Sequence, residues 1–211
     1  KFKFNNFTNS YVPFTASDEI PPANCSQGYY CIGWGSLAKN IIVVGAADQL
    51  TTADYKYSNP SNVLKSSYSS AGPRRDGAIK PDISAVGTDM LVAGYNSDAA
   101  YTTYYAGAGT SYSAPVISGI AGAVTHLNRI ITGNSSFTYK ADEMKALPTH
   151  TANEAGNPGP DVWYGWGFAD ATKAAQLVID KKDKKAYFER NLLNSGVKFS
   201  KVVTSKSGEP L

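Results

Sequence analysis

The sequence predicts an α/β fold with a mainly parallel sheet, on three observations. Ile41-Ile42-Val43-Val44 is a continuous apolar, β-branched run ended by Gly45, the pattern of a strand covered on both faces. Lys80-Pro81-Asp82-Ile83-Ser84-Ala85-Val86-Gly87 gives a second short strand between a proline and a glycine. Residues 116–131 carry Val116, Ile117, Ile120, Val124, Leu127 and Ile131 at steps of three and four, which puts them on one face of a helix. Strands that alternate with helices argue for layered α/β packing.

Taken in order, residues 1–40 are rich in Asn, Pro, Ser and aromatics without a sustained period, and read as a long loop region with a short extended piece. The strand at Ile41 follows. Residues 47–80 are polar and turn-rich, with Ser69-Ser70-Ala71-Gly72-Pro73 and Asp76-Gly77 as the clear turns. After the strand at Ile83, Leu91-Val92-Ala93 is a further strand candidate, and residues 94–108 are rich in Tyr, Ala and Gly. In the long helix, Pro115 suits a first turn, where its missing N–H is not needed. Gly119 and Gly122 suggest close packing against another backbone, because exposed glycine weakens a helix by about 1 kcal/mol relative to alanine. Thr132-Gly133-Asn134 supplies the stop.

Residues 140–147 read as a short amphipathic helix with Ala141, Met144 and Leu147 on one side, and 148–162 as a Pro/Gly/Asn loop. Tyr164-Gly165-Trp166-Gly167-Phe168 is a tight aromatic turn. Asp170 is a fitting N-cap for a last helix over 171–179. The division expected is 1–180 as one domain, 181–186 as a lysine-rich linker, and 187–211 as the possible start of a C-terminal β domain. Val197-Lys198-Phe199-Ser200-Lys201-Val202-Val203 in that tail alternates like a half-buried strand.

Gly109-Thr110-Ser111-Tyr112-Ser113-Ala114-Pro115 resembles the serine motif of the subtilisin-like serine proteases. Three flanking segments resemble the same family in the same order. They are residues 38–46, the Ser69-to-Ile83 stretch, and Tyr164-Gly165-Trp166-Gly167 with the helix behind it. The resemblance covers about residues 38–180. It implies the C-terminal part of a three-layer subtilisin-like fold and a serine endopeptidase acting on protein or peptide substrates. It further implies that Ser111 is the nucleophile and that its backbone N–H helps hold the oxyanion. A serine at a helix N-terminus suits this role, since unpaired N–H groups and the positive end of the helix dipole lie beside it.

The sequence departs from the family pattern upstream. A triad of this kind runs Asp, His, Ser along the chain, yet neither a His-Gly-Thr nor an Asp-Ser/Thr-Gly motif precedes Ser111, and the two histidines, His126 and His150, both follow it. His126 lies fifteen residues along the same predicted helix, about 22 Å at 1.5 Å per residue, against the roughly 3 Å that a triad needs. His150 falls in a predicted loop. Asp82, Asp142 and Asp161 read as a turn cap, a helix-start charge and a loop charge. The family's oxyanion asparagine, in an Ala-Gly-Asn context, is also absent. Two readings follow. In one, the chain is the C-terminal part of a protease whose missing N-terminal half carries the other triad members, so that it is inactive alone. In the other, it is a catalytically dead binding or structural module.

The remaining signals are smaller. Cys25 and Cys31 form either a small disulfide loop in an oxidising compartment or two free thiols. Two cysteines and two distant histidines do not make a metal site. Calcium is carried by many of this family, but no carboxylate cluster here has convincing ligand spacing, so no cofactor is assigned. With a net charge of +3 over 211 residues, much of it from Lys181-Lys182-Asp183-Lys184-Lys185, a nucleic-acid surface is not indicated. No apolar run reaches the roughly 18 residues of a membrane span. Fourteen tyrosines among many Ser, Thr, Asn and Gly suit a secreted or cell-envelope protein. Asn6-Phe7-Thr8, Asn24-Cys25-Ser26 and Asn134-Ser135-Ser136 match the N-glycosylation triplet. Tyr29, Tyr30 and Trp34 line a cleft or simply pack.

Overall fold

The computed structural model describes residues 2–5, 10–13, 15, 17–19, 25, 28–94 and 104–202. Asn6, Asn24 and the tail from residue 203 lie outside them. Strands β1 (Phe2–Asn5) and β2 (Ser10–Pro13) form an antiparallel pair, where the sequence suggests a long loop region with a short extended piece. Cys25 and Cys31 are joined as a disulfide, with their Cα atoms 4.7 Å apart. Tyr29 packs its ring 5.2 Å from that of Trp163, while Trp34 stands exposed.

The centre of the fold is a parallel pair, β3 (Val44–Ala47) and β4 (Ile83–Val86), registered Val44 to Ile83. β3 begins later than the apolar run suggests. Just before it, the Val43 carbonyl still accepts from Asp82 N–H at 2.8 Å, but Val43 N–H donates to a side chain, Asp82 Oδ2, at 2.7 Å, and Lys80 Nζ donates to the Ile41 carbonyl. On the far side of β4, Ser84 N–H donates to Gly167 O and Ala169 N–H to Ser84 O. The chain at 166–169 thereby runs parallel to β4 as a third lane. Gly167 holds φ at +125°, and a Cβ there would overlap the Asn153 carbonyl, which explains the glycine in the aromatic turn.

Helix α1 (Thr110–Thr132) lies across the sheet. Ile117, on α1, packs on Ile83 and Ala85 of β4, with Val44 and Ile120 beside them. Farther along, Val124 meets Leu147 of α2 (Ala141–His150) and Ala174 and Val178 of α3 (Ala171–Lys182). The opposite face of the sheet is covered by Leu50, Val63, Ala155, Tyr164 and Phe168. The layering is therefore α/β with a parallel pair, as the sequence predicts.

Several boundaries differ from expectation. α1 starts at Thr110, so Pro115 is its sixth residue and not in its first turn. A residue there would donate to the Ser111 carbonyl, so the proline leaves that carbonyl without a helical partner. The expectation of close packing at Gly119 and Gly122 is not met among the described residues, since an added Cβ at either meets nothing within 4 Å. α1 does stop at Gly133, with φ +70°. His150 closes α2 and is not in a loop. Asp170 Oδ1 accepts from Lys173 N–H at 2.9 Å and caps α3. That helix runs into the predicted linker as far as Lys182, its last turn holding two lysines near the negative dipole end. Residues 197–202 form no strand; Val197, Phe199 and Val202 are exposed, and a half-buried alternation has no sheet here to face.

Tyr139 packs edge-on to Phe137 and Phe188, and its hydroxyl is buried with no hydrogen-bond partner. Burial pushes its pKa up to about 12. Tyr139→Phe removes an unsatisfied group and keeps the ring. It is expected to leave stability within about 1 kcal/mol of wild type or raise it, as read from urea unfolding.

Candidate active site

The end of β4 is where the fold gathers its polar turn. Gly87 N–H donates to Ala47 O at 2.9 Å, continuing the parallel ladder by one step. The chain then goes out through β5 (Met90–Ala93) and returns through β6 (Tyr104–Gly107), an antiparallel pair. On its return, Gly109 N–H donates to Gly87 O at 2.8 Å. This fixes the start of α1 beyond the carboxyl end of β4, the position where open α/β sheets place ligands. Gly109 holds φ +146°, a conformation that a side chain rarely adopts. Gly107 leaves room for the Tyr112 ring, which occupies the space a Cβ would take.

The motif offers two serines, and the fold separates them. Ser113 is fully buried, its hydroxyl donating to Thr110 O at 3.1 Å. Ser111, the second residue of α1, is exposed. Its amide belongs to the first turn, ahead of the first intrahelical acceptor, while the next amide, Tyr112 N–H, is taken by Gly109 O at 2.9 Å. An oxygen placed beside Ser111 therefore meets the Ser111 amide and the positive helix end.

No histidine is brought to this point. His126 sits on α1 fifteen residues on, about 22 Å along the axis. His150 ends α2, whose Lys145 pairs with Asp82 at the opposite, amino-terminal end of the strands. Among the described residues no hydrogen bond joins Ser111 to a carboxylate, and no cluster of metal-ligating side chains is present. The acidic residues have other partners. Asp82 bridges Lys80 and Lys145, each at 2.6 Å. Asp142 pairs with Arg190 on the surface. Asp161 accepts from the amides of Asn157, Trp163 and Tyr164 and ties the aromatic turn together. Sequence reading missed Tyr68, whose hydroxyl meets both Gly87 and Gly109. Its only signal was its place in the turn-rich segment.

Burial raises the Asp161 pKa above the usual carboxylate value, and its three amide donors only partly offset this. A raised folded-state pKa means that the stability it contributes is full below about pH 4 and is lost as pH rises through the folded pKa. Asp161→Asn removes that titration. The stability advantage of wild type over the variant is expected to narrow across that interval and then stay level. Thermal melts of both proteins from pH 3.5 to 7.5 check this.

Comparison with known proteins bears on the whole arrangement. The model of the subtilase family, peptidase S8, matches residues 22–167. C5a peptidase of Streptococcus pyogenes is 29% identical over 158 residues, which is 71% of this chain and 13% of that protein. An extracellular serine protease of Serratia marcescens is 26% identical over 187 residues, 86% of this chain and 16% of that protein. The chain thus spans less than a fifth of the length of these relatives. Among solved structures, the CspB protease of Clostridium perfringens aligns with a TM-score of 0.55 at 26% identity, covering 72% of this chain and 30% of that one. The patellamide maturation protease PatA aligns at 0.51 and 19%, covering 72% and 48%, and shares the fold. The family match takes in β3, β4, the serine turn and the aromatic turn, and the chain belongs to the subtilase family.

Proposed function

We propose that these residues are the nucleophile-bearing part of a subtilisin-type serine endopeptidase. The observation that carries this reading is Ser111, exposed on the first turn of α1 beyond the carboxyl end of β4. In this reading Ser111 Oγ attacks the scissile carbonyl carbon, and its proton passes to a histidine held by an aspartate. The developing oxyanion receives the Ser111 N–H. The amine leaves with the proton from that histidine, and water then hydrolyses the acyl-enzyme. The histidine and the aspartate come from polypeptide beyond these residues. One feature suits such a partner: Gly119 and Gly122 face open space among the described residues. By this reading the 211 residues alone hydrolyse no peptide. Secretion fits the Cys25–Cys31 disulfide and the extracellular relative.

The test is a fluorophosphonate probe applied to the protease as its source produces it, with the labelled peptide mapped by mass spectrometry. Label on Ser111 supports the reading. Label on another serine, or none, overturns it and favours a catalytically dead binding module.

A further inference from the structure

Ser111 is presented by a turn whose anchor lies outside the motif. The Tyr68 hydroxyl is 3.0 Å from Gly109 N, 2.7 Å from Gly87 O and 2.7 Å from Thr88 Oγ1. Thr88 Oγ1 is in turn 2.7 Å from Ser66 Oγ, and Ser66 Oγ donates to Asp48 Oδ1 at 2.7 Å. Ser66 is fully buried, and its own amide donates to Ala46 O on the outer edge of β3. Three hydroxyls thus link a carboxylate at the end of β3 to the backbone that opens α1.

The protons in this chain are nearly determined. Each hydroxyl has one proton, and a carboxylate only accepts. Ser66 therefore gives its proton to Asp48. The Gly87 carbonyl likewise only accepts, so Tyr68 gives its proton to Gly87 O at 2.7 Å, and Thr88 gives its own to Ser66 or to Tyr68. In every arrangement the Tyr68 oxygen accepts from Gly109 N–H. That amide is shared with Gly87 O, so one junction ties the end of β4, the segment leaving β3 and the start of α1. Gly109 needs such a tie, because φ +146° is one of many conformations open to glycine and nothing covalent holds it there.

We propose that Tyr68 is a positioning residue for Ser111, anchored through Thr88 and Ser66 by Asp48. The inference rests on Ser111 as nucleophile, and the test separates the two claims. In the protease as its source produces it, Tyr68→Phe removes one oxygen and keeps the ring. We expect kcat per fluorophosphonate-titrated site to fall roughly tenfold with KM unchanged. Asp48→Asn is expected to lower it in the same direction by less. Counting per titrated site removes any loss of folded enzyme, which is all a purely structural role would cause. A wild-type kcat per site in Tyr68→Phe overturns the positioning role. If Ser111→Ala keeps full hydrolysis, the nucleophile assignment falls instead. The anchor is then read from amide exchange at Gly109 in the same intact protein: roughly tenfold faster exchange in Tyr68→Phe supports it, and an unchanged rate refutes it.

Discussion

Replacing Ser111 with alanine in the intact protease is expected to lower kcat for peptide hydrolysis about a millionfold, the loss recorded when subtilisin itself loses its serine. The comparison that gives the number meaning is Ser113→Ala. The two serines are two residues apart in one motif, yet Ser113 is buried and spends its hydroxyl on the Thr110 carbonyl. Its loss is expected to cost about 1 kcal/mol of stability and to leave kcat per active molecule within a few-fold of wild type. Hydrolysis rates against a fluorogenic peptide, corrected by active-site titration, distinguish the two. Comparable losses from both would mean that the turn, and not the exposed hydroxyl, is what activity depends on. A residual rate in Ser111→Ala of about a thousandfold over water is compatible with the mechanism, because the oxyanion site and substrate binding survive the substitution.

The parts of this fold that the sequence disclosed are those whose pattern is local. A β-branched run between turn residues, an apolar stripe at helical spacing, an aspartate before Ala171 and a glycine after Thr132 each act within one or two turns of chain. Those elements stand close to where the pattern puts them. Boundaries moved where a distant partner intervened. β3 starts at Val44 because Asp82 and Lys80, far along the chain, take the Val43 N–H and the Ile41 carbonyl with their side chains. Pro115 reads as a first-turn proline by residue type alone, but Gly109, held by Gly87, starts the helix earlier. The alternation at 197–203 is a local pattern with no sheet beside its described part, so it forms no strand there.

The candidate site divides along the same line. Gly109-Thr110-Ser111 and the proline four residues on form a contiguous signature and could be read directly. Tyr68, Ser66 and Asp48 could not: they act on Ser111 across some 40 residues or more of sequence, and no spacing announces a hydroxyl relay. The buried lysine was likewise illegible. Lys80 reads as a polar residue before a proline, yet it is among the largest fully buried side chains of the structure.

That lysine sets the second large effect. Among the described residues Asp82 is the only carboxylate paired with Lys80 and Lys145, which take one each of its two oxygens at 2.6 Å. Asp82 Oδ2 also accepts from Val43 N–H, while Lys80 and Lys145 both reach the Ile41 carbonyl. The cluster thereby joins the entries of β3 and β4 to α2. Asp82→Ala leaves Lys80, 2% exposed, with its charge buried and uncompensated. Breaking a buried pair in this way costs about 3–5 kcal/mol, a large share of the roughly 5–15 kcal/mol that holds a domain folded. For a chain of this size the melting temperature is expected to drop by roughly 10 °C or more. The pH dependence identifies the cause. Burial already lowers the Lys80 pKa against the opposing pull of Asp82; without the carboxylate that depression deepens. A lysine whose folded pKa is lowered destabilises the fold while charged, and stability returns as pH rises from the folded pKa toward its usual value near 10.5. The deficit of Asp82→Ala should therefore shrink between pH 7 and pH 10. A deficit that stays constant over that range would mean that the lost Val43 hydrogen bond, and not the stranded lysine, accounts for it.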